Sequence, residues 1–278
     1  MSTEQPERAS SPTRVAVLGV SGRMGRSLVH AVHDGTDYEL SGALASPGSP
    51  ALGADAGEVA GLGRRLGVTV TADRAAALAG ADVALDFTTA AAVGANVAAC
   101  VARGCAMLIG TTGLDGSLVA AIDAAAARIA LVEAPNTSLG VNLLAQLVAQ
   151  AAASLPPEYD IEILEAHHRY KVDAPSGTAL RLAEAAAAGR GTSLAALASG
   201  VRAAGGARRE GSIGFAVLRA GDIVGEHTVM LAGPGERLEL THRAHDRMTF
   251  AYGALRAAGW LRGRAAGRYT MADVLGLG

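Results

Sequence analysis

Apolar residues follow two rhythms along this chain, and the change falls near residue 138. Before it, short apolar runs alternate with segments whose apolar positions recur at helical spacing. Residues 14–18, 38–44, 68–70, 83–87, 105–109 and 129–132 read as strands. Leu28, Val29 and Val32 mark a helix after the first of them, and further helices are expected over 73–79, up to Arg103 and over 115–127. Apolar strands alternating with helices predict an α/β unit built on a doubly wound parallel sheet. After residue 138 comes a long amphipathic helix, 138–154, with Leu143, Leu144, Leu147 and Val148 at helical spacing, stopped by Pro156 and Pro157. Strands then dominate: 159–166, 211–219, 227–232 and 236–242. Ile161, Ile163, Leu238 and Leu240 alternate with charges, as in a sheet buried on one face. One helix interrupts them, beginning near Ser176 and running to Ala188. A helical pattern returns over 248–261 and is expected to pack back on the first unit. The organisation predicted is a disordered tail over 1–12, a first domain of 13–137 with 247–278, and an α+β second domain of 138–246 with an open mixed sheet.

The first strand runs into Gly19, Val20, Ser21, Gly22, Arg23, Met24 and Gly25. Strand, glycine turn and helix are the setting a dinucleotide-binding loop requires. Gly19 would allow the tight turn, Gly22 the approach of a pyrophosphate, and Gly25 close packing of the helix. Glycine triplets alone say little in a chain with 36 glycines; the flanking strand and helix carry the argument. Ligands of such sheets bind off the carboxyl ends of the strands. Three of those ends carry small polar sequences: Asp86-Phe87-Thr88, Gly110-Thr111-Thr112 and Ala134-Pro135-Asn136-Thr137. Each alone reads equally well as a capped turn. At the end of the second strand, where an acid usually holds the ribose hydroxyls, the chain has Ala45 and Ser46. No arginine for a 2′-phosphate stands there either, and Arg23 is the nearest cation. NADPH and NADH both stay open, with the missing carboxylate favouring acceptance of NADPH.

Residues 165–178 concentrate the chemistry: Glu165, Ala166, His167, His168, Arg169, Tyr170, Lys171, Val172, Asp173, Ala174, Pro175, Ser176, Gly177 and Thr178. Lys171 is the only lysine in the chain. An amine can exchange a proton near neutral pH once its surroundings shift it; a guanidinium cannot. Ser176 is a good N-cap after a proline, so Gly177 and Thr178 would present N–H groups at a helix start, a site for an anion such as a carboxylate. A hydride acceptor that also gains a proton needs a positioned acid, and histidine or a lysine of lowered pKa qualifies. Asp173 reads as a turn residue or a partner for Lys171 or Arg169. No third ligand accompanies His167 and His168 at metal-binding spacing, so no metal is expected.

Composition narrows the classes. Hydrophobic residues make up 50% of the chain and aromatics 3%, which suits helices packed closely on strands. A formal net charge of -2 gives no electrostatic case for nucleic acid. Cys100 and Cys105 read as reduced, partly buried thiols. No apolar run reaches membrane-spanning length and the first dozen residues have no apolar core, so a cytoplasmic protein is expected.

The segment from Glu165 to Ala179 resembles the signature of the dihydrodipicolinate (4-hydroxy-tetrahydrodipicolinate) reductase family. Similarity extends over nearly the whole chain, including residues 19–25, Asp86-Phe87-Thr88, Gly110-Thr111-Thr112-Gly113, 211–215 and 221–227. The resemblance implies a Rossmann-like nucleotide domain, NADPH or NADH as hydride donor, a small cyclic dicarboxylate substrate and a homotetramer assembled through the second domain's sheets. It implies that His167 is the catalytic proton donor/acceptor, Lys171 a proton donor, and His168 a substrate contact. Gly177 and Thr178, behind Ser176, would bind a substrate carboxylate. Gly19, Val20, Ser21, Gly22, Arg23 and Met24, Gly110, Thr111 and Thr112, and Ala134, Pro135, Asn136 and Thr137 would line the nucleotide. Closure about hinges near residues 137 and 247 would bring the two sites together. On the residues alone, another two-domain NAD(P)-dependent dehydrogenase and a nucleotide-sensing protein without turnover stay open; neither accounts for Lys171.

Overall fold

A computed structural model of the chain describes residues 11–201 and 207–277. In order the elements are β1 (Thr13–Leu18), α1 (Arg23–Asp34), β2 (Tyr38–Leu44), α2 (Ala56–Ala60), β3 (Val70–Thr71), α3 (Arg74–Ala77), β4 (Val83–Asp86), α4 (Ala90–Arg103), β5 (Ala106–Ile109), α5 (Gly116–Ala126) and β6 (Ala130–Glu133). There follow α6 (Leu139–Ser154), β7 (Asp160–His167), α7 (Gly177–Gly189), α8 (Leu194–Leu197), β8 (Ala198–Val201), β9 (Ile213–Arg219), β10 (Gly225–Gly233) and β11 (Glu236–Ala244). The chain ends with α9 (Met248–Leu261), β12 (Gly267–Tyr269) and α10 (Met271–Leu275). It forms two compact units. One holds the described residues up to Thr137 and Phe250–Val274, the other Ser138–Thr249 and the last few residues. Of the tail expected over 1–12, residues 1–10 lie outside the described residues.

In the first unit seven strands stand in the order β12-β6-β5-β4-β1-β2-β3, and every pairing is parallel. All four residues of β4 are buried, as are Val15, Ala16, Val17 and Leu18 of β1, because helices cover both faces of such a sheet. The order reverses at β1, which pairs with β2 on one side and β4 on the other. A sheet of this kind binds ligands at that switch point, beyond the carboxyl ends of the strands. Cys100 and Cys105 are free, buried thiols in this core.

The third strand differs from its expected place. Val68 instead accepts a hydrogen bond from the Ala56 N–H, and Thr69 bridges antiparallel to Asp55. The loop around α2 therefore takes up residues 68–69, and only Val70 and Thr71 join the sheet. The periodicity gave no sign of α2. It is five residues long and is organised by buried Asp55, whose carboxylate accepts the N–H groups of Gly57, Leu66 and Gly67.

The second unit is a mixed sheet of five strands, β11-β10-β7-β9-β8, with α6 and α7 packed on one face. Ile161, Ile163, Ile213, Phe215, Val229 and Leu231 meet Leu144, Val148, Leu182, Ala183 and Ala186 there. Two expectations for that face need correcting. Leu143 and Leu147 are exposed, because the buried stripe of α6 runs through Leu144, Ala145 and Val148. Leu238 is 42% exposed, because β11 is the edge strand and only Leu240 packs against the core.

Candidate active site

The glycine turn of the first unit has the geometry a phosphate needs. Gly19 has φ +91, in the left-handed region. The N–H groups of Gly19 and Val20 both donate to the Leu44 carbonyl, and that of Gly22 donates to the Gly19 carbonyl. A Cβ on Gly25 would stand 2.2 Å from the Gly19 oxygen, so only glycine lets α1 start this close to the turn. Side chains of Asp55, Asp73, Asp115, Ser138 and Ser176 cap α2, α3, α5, α6 and α7. Gly22 gives α1 no such cap, so its first-turn N–H groups suit an external anion. Val20 points into the core; Ser21 and Met24 are half-buried and Arg23 is exposed.

The neighbouring strand ends divide into braces and open positions. Asp86 is fully buried and accepts hydrogen bonds from the Thr88 N–H and hydroxyl, the Thr111 hydroxyl and the Asn96 amide. Its carboxylate is therefore a brace between loops. Thr111 and Thr137 also spend their hydroxyls internally, Thr137 on the Phe250 carbonyl at 2.6 Å. The Gly110 N–H reaches the Asp86 carbonyl, and that of Ala134 the Ile109 carbonyl. Thr112 and Pro135 are exposed and Asn136 is half-buried. The sheet order brings Gly19, Gly110 and Ala134 to one edge of this unit. Ser46, beyond β2, is exposed in a turn closed by the Ser49 N–H.

The second unit holds the titratable groups. Strand β7 alternates inward with Ile161, Ile163 and Glu165. A carboxylate thus occupies an inward position and is 2% exposed. Such a charge needs partners, and three groups supply them through four contacts. His167 Nδ1 lies 2.6 Å from Oε2. Arg219, the β9 residue registered with His167, donates to Oε2 at 2.7 Å and to Oε1 at 2.8 Å. The Ser176 N–H donates to Oε1 at 3.0 Å. Burial works against the charge on Glu165, but Arg219, His167 and Ser176 outweigh it and hold the carboxyl below its usual range. For His167 burial is the largest influence and lowers its pKa, with Lys171 and Arg219 adding to the effect and Glu165 opposing it.

Lys171 reaches both carboxylate oxygens of Asp173, at 2.8 and 2.7 Å. This pairing, first among its causes, lowers the Asp173 pKa. Arg219 also donates to the Asp173 carbonyl at 2.7 Å, and the Arg169 N–H to the Gly221 carbonyl. These bonds shape the loop that carries Lys171. His168 leans on Tyr170, and its buried Nδ1 has no hydrogen-bond partner among the described residues.

Ser176 caps α7 by accepting the Ala179 N–H at 3.1 Å, and its hydroxyl meets His227 Nε2 at 3.0 Å. Its N–H is already given to Glu165. Ser176 is thus fully engaged inside the protein, and its bearing on an anion is through the placement of Gly177 and Thr178. Gly177 is exposed with open space around it. His227 is 4% exposed and packs edge-on against His167, ring centroids 5.1 Å apart. Burial first, then the charge of His167, pushes its pKa down to about 4.

Sequence reasoning gave no role to Glu165, Arg219 or His227. The available signal was Glu165 itself, an acid in phase with the apolar face of β7. Arg219 and His227 become visible only once β9 and β10 flank that strand. Among the described residues no group of three or more His, Cys, Asp or Glu side chains could hold a metal ion, and no helix is long and apolar enough to cross a membrane.

Comparison with known proteins covers both units. The family model described as "Dihydrodipicolinate reductase, N-terminus" matches residues 13–137, and that described as "Dihydrodipicolinate reductase, C-terminus" matches 140–275. A 4-hydroxy-tetrahydrodipicolinate reductase of Alkalilimnicola ehrlichii is 56% identical over 266 residues, 95% of this chain and 99% of that protein. One from Afipia carboxidovorans is 54% identical, over 96% of this chain and 98% of its own. Among solved structures, a dipicolinate-bound dihydrodipicolinate reductase from Paenisporosarcina sp. TG-14 superposes with a TM-score of 0.75 at 25% identity, covering 94% of this chain and 98% of that one.

Proposed function

The chain belongs to the dihydrodipicolinate reductase family, and we propose on that premise how its residues carry the family reaction. The reaction is NAD(P)H-dependent reduction of 4-hydroxy-tetrahydrodipicolinate to tetrahydrodipicolinate with loss of water, in lysine and diaminopimelate synthesis. The observation that carries the reading is the arrangement around Glu165. One buried carboxylate holds an imidazole by its Nδ1 and an exposed helix start by the Ser176 N–H.

The nicotinamide cofactor supplies the hydride when bound. The uncapped N-terminus of α1 binds its pyrophosphate, with Gly110, Thr112, Pro135 and Asn136 beside it at the same sheet edge. A cyclic dicarboxylate substrate, in keeping with the dipicolinate held by the Paenisporosarcina enzyme, places one carboxylate on the N–H groups of Gly177 and Thr178. His168 contacts the substrate beside it. With Nδ1 held by Glu165, His167 gives from Nε2 the proton that the substrate ring takes up with the hydride, and Lys171 is the second proton source, protonating the hydroxyl so that it leaves as water while the substrate ring releases one proton in return. Arg23, with no acid at Ser46, favours acceptance of NADPH beside NADH.

The enzyme assembles as a homotetramer through the uncovered face of the five-stranded sheet. Exposed Leu164 and Leu218 on that face support this. It works in the cytoplasm, where the NAD(P)H pool and free thiols such as Cys100 and Cys105 belong. The test is steady-state oxidation of NADPH and of NADH with enzymatically generated 4-hydroxy-tetrahydrodipicolinate. Substrate-dependent turnover is expected; its absence with both cofactors would sink the reading.

A further inference from the structure

Resting on the function just proposed, we infer that Glu165 is a positioning residue that ties proton transfer at His167 to carboxylate capture at the start of α7. Its two oxygens divide the work: Oε2 holds His167 Nδ1 at 2.6 Å, and Oε1 holds the Ser176 N–H at 3.0 Å. Arg219 grips both oxygens and so fixes the plane of the carboxylate. From the same guanidinium it reaches the Asp173 carbonyl, which sets the loop bearing Lys171. One rigid carboxylate therefore registers the proton donor against the site that holds the substrate.

The geometry leaves one nitrogen of His167 for chemistry. Because Nδ1 faces a carboxylate, that nitrogen carries the hydrogen, and Nε2 exchanges the proton with substrate. Gly225 on β10 keeps Nε2 uncovered: a Cβ there would stand 3.2 Å from it. The groups that act on His167 are Glu165 on its own strand, Arg219 on β9, His227 on β10 and Lys171 in the following loop. Glu165 is the one among them that favours the imidazolium, so removing its charge lowers the fraction of protonated His167 at a given pH.

The experiment uses the full-length enzyme carrying Glu165→Gln, with Glu165→Asp beside it. Gln keeps the shape and removes the charge. Asp keeps the charge opposite Arg219 and draws it back by one methylene. Three quantities are read: the His167 pKa by NMR of labelled imidazole carbon, assigned with His167→Gln; the pH profile of kcat; and the dissociation constant of dipicolinate. For Glu165→Gln the His167 pKa falls by about one unit or more, and the loss of kcat with rising pH moves to lower pH by a similar amount. Its dipicolinate affinity weakens roughly 3- to 10-fold through the loosened helix start. For Glu165→Asp, kcat and dipicolinate affinity fall together, each by several-fold, in a folded protein. A brace without positioning would lower Tm and leave the His167 titration and the pH profile at wild-type values; that result, or Glu165→Asp with wild-type kcat and affinity, overturns the inference. Absence of wild-type turnover would strike the proposed reaction instead, so the two failures are distinguishable.

Discussion

His227 and His242 stand directly opposite each other across the β10–β11 ladder, and each binds the serine that caps a helix. His227 Nε2 meets Ser176 Oγ at 3.0 Å at the start of α7, and His242 Nε2 meets Ser138 Oγ at 3.3 Å at the start of α6. Two helices are thus pinned to one edge of the sheet by paired imidazoles. Burial lowers the pKa of both, most for His227.

The pairing predicts how stability depends on pH. Folded His227 has a pKa of about 4 against an ordinary 6.5, so between those values the unfolded chain binds more protons. Stability then rises with pH across that window, is complete above about 6.5, and is lost toward pH 4. Chemical denaturation at several pH values should show His227→Leu with a shallower slope, by up to about 1.4 kcal/mol per pH unit. The variant should also lose about 1–3 kcal/mol at neutral pH, because the buried Ser176 O–H is left without an acceptor while its oxygen still caps α7. An unchanged slope would contradict a neutral, buried His227.

Lys171→Arg keeps a cation beside Asp173 and removes the amine. The expected result is a kcat lower by about 100-fold or more, with NADPH affinity unchanged by fluorescence titration. Normal turnover would remove Lys171 as a proton donor.

Gly25→Ala places a methyl where the Gly19 oxygen stands 2.2 Å away. The start of α1 must shift, and NADPH affinity should fall by about 10-fold or more, as expected from a loss of one to two kcal/mol of phosphate contact. Dipicolinate binding to the other unit should stay near wild type. Undiminished NADPH affinity would contradict the placement of the phosphate.

Ser46→Asp puts an exposed carboxylate at the end of β2, where ribose hydroxyls are bound in sheets of this kind. The ratio of kcat/KM for NADPH to that for NADH should fall about 10-fold, the scale of one repulsive charge contact. A ratio that does not move would place the adenosine ribose elsewhere.

Much of the fold could be read from periodicity. The helix over Met248–Leu261 and strand Tyr38–Leu44 stand where the apolar pattern puts them. The short elements α2, β8, β12 and α10 lack the continuous apolar run that marked the equally short β4, β5 and β6. Leu238 misled because alternation marks a face but not whether a helix covers it. At the site, Lys171 and the glycine turn declared themselves by residue type. The role of Glu165 did not, since it depends on Arg219 lying 54 residues away in sequence and becoming a neighbour only through the β7–β9 pairing.

In the proposed reaction His167, held by Glu165, supplies the proton while a separate helix start holds the substrate. Steady-state NADPH oxidation by His167→Gln, with dipicolinate affinity measured on the same preparation, tests it most directly. The expected kcat is lower by about 100-fold or more, with dipicolinate bound within a few-fold of wild type. A kcat near wild type at any pH would contradict it.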